Sequence, residues 1–155
     1  VYMKNWKEAL VHFEKTHEIS LRTLPANQPA LSSLYNNIGL VYNEQDLYTK
    51  ALNYYQKSLT IALASLPENH PSIATTYNNI DLIYCNLGSY VEAMDYLQKT
   101  LKIQLVNLPH THPDIARTYR NIRHLYVYQQ NASETLKQYL KALKIYSQSL
   151  PSNHP

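Results

Sequence analysis

The chain has 155 residues with only 2 glycines against 8 prolines, which disfavours a sheet protein rich in tight turns and favours helices. Its single cysteine, Cys85, cannot form a disulfide within the chain, which is typical of a cytoplasmic protein. The net charge of +3 is unevenly distributed, because residues 113–155 carry six basic and two acidic side chains whereas the rest of the chain carries eight basic and nine acidic ones. A basic third on a near-neutral chain indicates an acidic partner more than nucleic acid bound along the whole chain.

The opening segment predicts one amphipathic helix near residues 3–22. Charged residues every few positions exclude a signal peptide and a membrane span there. The same apolar pattern returns further along the chain, where Trp6, Ala9, Leu10 and Phe13 correspond to Tyr48, Ala51, Leu52 and Tyr55. Residues 1–28 are therefore expected to be the second helix of a truncated repeat, followed by its loop.

From residue 24 onward, a Leu-Pro loop recurs at equal intervals, with its first proline at positions 25, 67, 109 and 151. The four loops read LPANQP, LPENHP, LPHTHP and LPSNHP. Because proline fits the first turn of a helix, Pro29, Pro71 and Pro113 predict helix starts, with Asn or His just before them as candidate caps. The chain is therefore expected to form one array over 1–155, with repeats at 29–70, 71–112 and 113–154.

Two amphipathic helices are predicted in each repeat, because apolar residues recur at steps of three and four, as in Ile73, Tyr77, Ile80 and Tyr84. The first helices lie near 29–44, 71–86 and 113–129, and the second near 48–65, 90–107 and 132–149. The turns between them read NEQD, NLGS and QQNA, and Gly88 suits a helix end. The fold class is all-α, a solenoid of antiparallel helix hairpins that bury their apolar faces by stacking.

Small residues select the type of helical repeat. The period of the loops also fits HEAT or armadillo repeats and propeller blades, but the strands of blades would show apolar residues at every second position. Gly39 on the first helix and Ala51 on the second allow the close approach of a tetratricopeptide hairpin. Asp81, Arg123 and Thr135 replace the small residues later, which predicts looser packing of the third hairpin. Asp81 and Arg123 either pair with each other or each reach solvent.

Three segments carry a narrower resemblance. They read QPALSSLYNNIGLVY (28–42), HPSIATTYNNIDLIY (70–84) and HPDIARTYRNIRHLY (112–126). They resemble the tetratricopeptide repeats of kinesin light chains and related scaffold proteins in their spacing, His-Pro entry and paired asparagines. The resemblance implies a right-handed superhelical stack. It also implies that the asparagine row binds the backbone of a cargo peptide and that nearby basic residues read acidic side chains.

Candidate peptide-binding residues lie on the first helix of each repeat, opposite the seam between the two helices, where a concave groove is expected. They are Ser33, Asn36, Asn37, Leu40, Asn43, Thr75, Asn78, Asn79, Leu82, Cys85, Arg117, Arg120, Asn121 and His124. Asparagine is unfavourable inside helices, so the recurring pairs need a reason. Either they bind a peptide backbone, or one of each pair bonds a neighbouring helix. The basic residues either contact an acidic ligand or form a solvated face.

No catalytic or metal site and no cofactor are predicted. His70, His112 and His154 recur once per repeat beside proline, which favours capping or loop packing over metal coordination. Cys85 and His124 lie on the predicted groove faces of neighbouring repeats, but no third group orients them for nucleophilic catalysis. The leading interpretation is a non-enzymatic adaptor that binds an extended, partly acidic peptide.

Two alternatives stay open. One is a docking or oligomerising arm of an enzyme encoded elsewhere, and the other is an RNA-binding repeat, which would need a basic groove throughout. The ends of the array also predict end-to-end self-association, because apolar residues such as Leu10, Phe13, Leu143 and Tyr146 are expected to be partly exposed there.

Overall fold

The computed structural model describes residues 28–128 and 130–149, together with residues 8, 11–13, 15, 16, 18 and 19. Six helices have defined bounds: α1 Pro29–Asn43, α2 Tyr48–Ser65, α3 Pro71–Asn86, α4 Tyr90–Asn107, α5 Pro113–Tyr128 and α6 Ala132–Ser149. The described residues between 8 and 19 are also helical, and the remainder of the helix predicted near 3–22 lies outside the described residues. No described residue is in a strand, and the all-α prediction is confirmed.

The helices pack as three hairpins, α1 with α2, α3 with α4 and α5 with α6, and each hairpin also packs on the next. The core is shared between neighbours, since Ile38 of α1 and Tyr55 of α2 cluster with Ile80 and Ile83 of α3. A second cluster joins Leu97 of α4 to α5 in the same way. Burial of the apolar face of one hairpin therefore requires the next hairpin, as expected for a helical solenoid.

The residue before each helix-starting proline supplies a cap in two repeats. The Nδ1 atom of His70 accepts a hydrogen bond from the backbone N–H of Ser72 at 3.2 Å, and Nδ1 of His112 does the same for Asp114. This satisfies a backbone donor that has no partner inside the helix. The capping interpretation is confirmed for His70 and His112, whereas Gln28 makes no side-chain cap and His154 lies outside the described residues.

Each hairpin turn contains one residue with positive φ, at the equivalent position of the repeat. These residues are Asp46 at 57°, Gly88 at 75° and Gln130 at 56°. At the middle turn, the N–H of Gly88 donates to the carbonyl of Cys85 and that of Ser89 to the carbonyl of Tyr84. The left-handed residue lets the chain reverse while the last carbonyls of α3 stay bonded. Gly88 ends the helix as predicted, and two L-residues take the same conformation in the other turns.

In the first hairpin, the nearest neighbour of Gly39 is the ring of Tyr55 and not Ala51. A Cβ atom at Gly39 would lie 2.6 Å from Cε1 of Tyr55, so only glycine fits against this ring. The same position holds Asp81 in the second hairpin and Arg123 in the third. The guanidinium of Arg123 lies 5.6 Å from the ring centroid of Tyr139, which stands on α6 where α2 has Tyr55. The seam therefore accommodates three different residues at one position.

Neither expectation for Asp81 is correct. It is buried, with 4% of its surface exposed, so it does not reach solvent. Within the described part of the chain it forms no ion pair, with Arg123 or with any other residue. Arg123 instead stacks on Tyr139 of α6, and its Nη2 lies within hydrogen-bond distance of Nε2 of His124, at 3.1 Å. The residue of α4 opposite Asp81 is Leu97, which is apolar, and this leaves the carboxyl group alone.

Candidate functional site

The predicted peptide-binding residues lie on one side of α1, α3 and α5. All of them are exposed or half-buried, whereas residues between them, such as Ile38, Ile80 and Ile122, are buried in the core. This follows from the 3.6-residue period of the helix, which separates the seam side from the opposite side. We call this exposed side of α1, α3 and α5 the A-helix wall.

Between α1 and α3 the A-helix wall is closed by hydrogen bonds. The Nδ2 atom of Asn36 donates to Oγ1 of Thr76 at 3.4 Å, and Nδ2 of Asn79 donates to Oδ1 of Asn36 at 2.9 Å. The two helices also approach within 8 Å between Cα atoms. Asn36 and Asn79 therefore bond a neighbouring helix, which was one of the two interpretations of the asparagine pairs.

Between α3 and α5 the wall is open. No Cα atom of α3 lies within 8 Å of a Cα atom of α5, and we call the gap the α3/α5 cleft. Asn78 and Asn121, one period after Asn36 and Asn79, make no side-chain hydrogen bond among the described residues. The equivalent polar groups thus join the helices at one interface and are unpaired at the next.

Gln104 distinguishes this interface from the preceding one. It stands where the preceding repeat has Ala62, which is fully buried. Its Oε1 atom accepts a hydrogen bond at 2.7 Å from Oγ1 of Thr118, the counterpart of the threonine that accepts from Asn36. A larger side chain therefore lies between α4 and α5 where the preceding repeat has an alanine, and it accepts the hydroxyl proton of Thr118.

Two pockets lie in the cleft. The Asn78 pocket, of about 230 Å³, is near the helix starts and is lined by Thr75, Asn78, Gln104, Asp114 and Arg117 among others. The Asp81 pocket, of about 350 Å³, is near the helix ends and is lined by Asp81, Leu82, Cys85, Asn121 and His124, with Tyr90, Leu97, Leu125 and Tyr128. The structure thus brings predicted residues of α3 and α5 together in one cleft.

The predicted basic residues of α5, Arg117, Arg120 and His124, offer less uncompensated positive charge than the sequence indicates. Nη2 of Arg117 lies 2.9 Å from Oδ1 of Asp114, so this charge already has a partner. Burial, with the charges of Arg123 and Arg120, lowers the pKa of His124, which keeps its imidazole neutral at neutral pH. Arg120 has no ion pair within the described residues. Only one of the three basic groups therefore offers an uncompensated charge.

Asp81 is the functional candidate that sequence reasoning missed. Its Oδ2 atom is buried and has no hydrogen-bond partner, and burial raises the pKa of this carboxyl group to about 7. Burial, with the nearby Asp81 charge, also raises the pKa of Cys85 to about 11, so its thiol stays protonated and is a poor nucleophile. The departure from Gly39 was visible in the sequence, but the surroundings of Asp81 depend on α4 and α5.

Among the described residues, no group of three or more His, Cys, Asp or Glu side chains is placed to hold a metal ion. None of the described helices combines the length and the apolar character that crossing a bilayer requires.

Comparison with known proteins gives a consistent result. The family model described as tetratricopeptide repeat matches residues 1–64, 30–105 and 72–148. No curated protein matches the chain.

Among solved structures, TPR-like repeats described as putative kinesin light chain from Podosopora anserina superpose with a TM-score of 0.85 at 21% identity, covering 99% of this chain and 74% of that one. BtubC (BKLC) from P. vanneervenii gives 0.86 at 16% identity, covering 98% and 61%. The apo form of RapI gives 0.80 at 22% identity, covering 96% and 52%. At these identities the likeness concerns the fold.

Proposed function

Because the chain belongs to the tetratricopeptide repeat family, whose members are generally non-catalytic scaffolds for other proteins, we propose that it is a protein-interaction adaptor that binds an extended peptide in the α3/α5 cleft. The observation that carries this proposal is the difference between the two interfaces of the A-helix wall. The two amides that close α1 against α3, those of Asn36 and Asn79, have counterparts between α3 and α5, Asn78 and Asn121, that are half-buried and make no side-chain hydrogen bond among the described residues.

Asn78 and Asn121 are the proposed contacts to the peptide backbone. Each lines one of the two pockets, so the pair spans the length of the cleft. An amide side chain offers both a donor and an acceptor, which matches the N–H and C=O of an extended chain whatever its sequence. Both are half-buried, and a half-buried polar group without a protein partner gains from a ligand that supplies one.

Arg120 is the proposed source of a preference for acidic peptides. It stands on α5 where the earlier repeats have Asn36 and Asn78, and its charge is unpaired in the described part of the chain. Arg117 contributes less, because an incoming carboxylate would have to compete with Asp114. A contact that becomes desolvated contributes about 1–3 kcal/mol, and one that stays at the rim contributes about 0–1 kcal/mol.

The test uses a peptide library with acidic and neutral members, fluorescence anisotropy and two ionic strengths. Asn78→Ala is expected to weaken acidic and neutral peptides alike, with Asn53→Ala on exposed α2 as its control. Arg120→Glu is expected to weaken acidic peptides alone and to flatten their salt dependence, with Lys102→Glu on exposed α4 as its control. Unchanged binding in both cleft variants would place the ligand elsewhere.

Asn36 is unsuited to this test, because its amide joins α1 to α3. An RNA-binding repeat is disfavoured because, among the predicted groove residues, only Arg120 carries an uncompensated positive charge, whereas an RNA-binding groove is basic throughout. An arm that docks an enzyme or its substrate would use the same cleft. It differs from an adaptor only in what the rest of the assembly does.

Association through α6 is a second, separate proposal. Leu136 is 59% exposed, whereas Met94, one period earlier, is 8% exposed because α5 packs over that face. Leu143 is 49% exposed, and Phe13 is half-buried against the core of the first hairpin. The side chains of Leu10 and Tyr146 lie outside the described residues. A second copy that covers α6 would give a mass that rises with concentration in light scattering, and a constant monomer mass would contradict this.

A further inference from the structure

One carboxyl group in the α3/α5 cleft is buried with no hydrogen-bond partner for its Oδ2 atom among the described residues. Asp81 is only 4% exposed, and neither an ion pair nor a hydrogen bond to its Oδ2 atom exists among the described residues. Burial of an unpaired carboxylate is unfavourable, and native proteins normally pair such groups. The fold does not require an acid here, since the same position holds Gly39 in one hairpin and Arg123 in the next.

We propose that Asp81 binds a cationic side chain of the peptide, of the lysine or arginine type, inserted into the Asp81 pocket. The proposal rests on the function proposed above, because it concerns the same cleft. It assigns a basic residue to the part of the peptide that lies near the ends of α3 and α5, whereas Arg120 favours an acidic residue elsewhere along the peptide.

The shape of the pocket suits a long side chain with a charged end. Its walls include Leu82, Leu97 and Leu125, which can pack along a chain of methylene groups. Tyr90 and Tyr128 also line it, and their rings stack in parallel with centroids 4.7 Å apart. The stacked rings add apolar surface to the pocket, and Asp81 supplies a charge opposite to that of the incoming side chain on the pocket wall.

No cation of the described residues takes this place. The titratable groups that face Asp81 in the pocket are Cys85 on α3, Tyr90 on α4, and His124 and Tyr128 on α5. At neutral pH the Cys85 thiol stays protonated, and burial with the two neighbouring arginines keeps His124 neutral by lowering its pKa. Of those arginines, Arg123 points to Tyr139 of α6 and Arg120 does not line the pocket.

Ionisation of Asp81 gives the proposal a pH signature. Burial raises the pKa of this carboxyl group to about 7. Below this pH, a cation binds tightly only after Asp81 has lost its proton, which reduces the observed affinity. Affinity for a cationic probe should therefore rise from pH 6 to pH 8. Deprotonation of His124 acts in the same direction, which is why a variant at Asp81 is needed to separate the two.

The experiment uses the whole chain and two small probes, N-acetyl-lysine methylamide and its neutral isostere N-acetyl-norleucine methylamide. Binding is followed by amide chemical shifts at pH 6 and pH 8. At pH 8 the lysine probe is expected to bind about 10-fold more tightly than the norleucine probe and to shift the amides around the Asp81 pocket. Asp81→Asn is expected to remove this preference and its pH dependence, while Glu92→Gln on exposed α4 preserves both.

Equal affinity of the two probes for the unmodified chain would overturn the proposal, as would a preference that survives in Asp81→Asn. Thermal unfolding of each variant confirms that the fold is retained.

The outcome of this test is separable from that of the proposed function. If the lysine preference is absent but Asn78→Ala still weakens peptide binding, the cleft binds peptides and Asp81 does not select a basic side chain in them. If the lysine preference depends on Asp81 but Asn78→Ala has no effect, the adaptor proposal fails.

Discussion

Replacement of Asp81 by asparagine should stabilise the fold at neutral and higher pH. The pKa of this carboxyl group rises from 3.8 to about 7 because it is buried without a charge partner. The folded chain therefore holds a proton that the unfolded chain has released between these two values. Since the folded state binds more protons in this range, the free energy of unfolding must fall as the pH rises from about 4 to about 7.

The size of the effect follows from the difference of about three pKa units. Each unit corresponds to about 1.4 kcal/mol, so ionised Asp81 destabilises the fold by up to about 4 kcal/mol above pH 7. Water that enters the open cleft reduces the destabilisation, so this figure is an upper bound. The amide of Asp81→Asn keeps the shape of the side chain and cannot ionise. Its advantage should be small near pH 4 and largest near pH 8.

Urea unfolding followed by circular dichroism, at pH 5 and pH 8, measures the difference between the two chains. Glu92→Gln is the matched control, because it removes an exposed carboxyl group on α4. The control should follow the unmodified chain at both pH values. If Asp81→Asn and the unmodified chain show the same pH dependence, the carboxyl group is hydrated or paired in solution, and the reasoning from burial is refuted.

Three further substitutions test the packing by urea unfolding. Gln130→Gly should stabilise by about 1 kcal/mol, because Gln130 has φ of 56° and glycine adopts this conformation without strain; an unchanged midpoint would contradict it. Gly39→Ala should destabilise by about 1–2 kcal/mol, because the collision with Tyr55 outweighs the gain in helix propensity, and a stabilised variant would show that the ring can move. Ser58→Ala should destabilise the fold by about 1 kcal/mol, because it removes the buried hydrogen bond from Oγ of Ser58 to the carbonyl of Ser32 at 2.8 Å. An unchanged midpoint would show that this bond makes no net contribution.

Local chemistry explains why so much of the fold was predictable. Helix starts at Pro29, Pro71 and Pro113 depend on the proline itself and its neighbours, and the structure places all three there. The first helix ends at Asn43, one residue before the predicted end, because Glu44 is its C-cap. Assignment of the exposed face also needed only the helical period.

The site was harder to predict because its contacts join different helices. Which asparagine bonds a neighbour depends on the distance between α1 and α3, and the sequence shows the same pair in both repeats. The bond between Gln104 and Thr118 could have been suspected by aligning Gln104 with Ala62, since a large polar residue in an alanine position is conspicuous. The pairing of Arg117 with Asp114 was also within reach, because the two lie three residues apart on one helix.

The asymmetry of the A-helix wall has a mechanical consequence. In a stack of repeats each unit touches only its neighbours, so bending is set by the stiffness of each joint. The joint between α1 and α3 is cross-linked by the amides of Asn36 and Asn79, whereas the joint between α3 and α5 has no such link among the described residues. Bending of the array is therefore expected to open the A-helix wall more easily at the second joint than at the first.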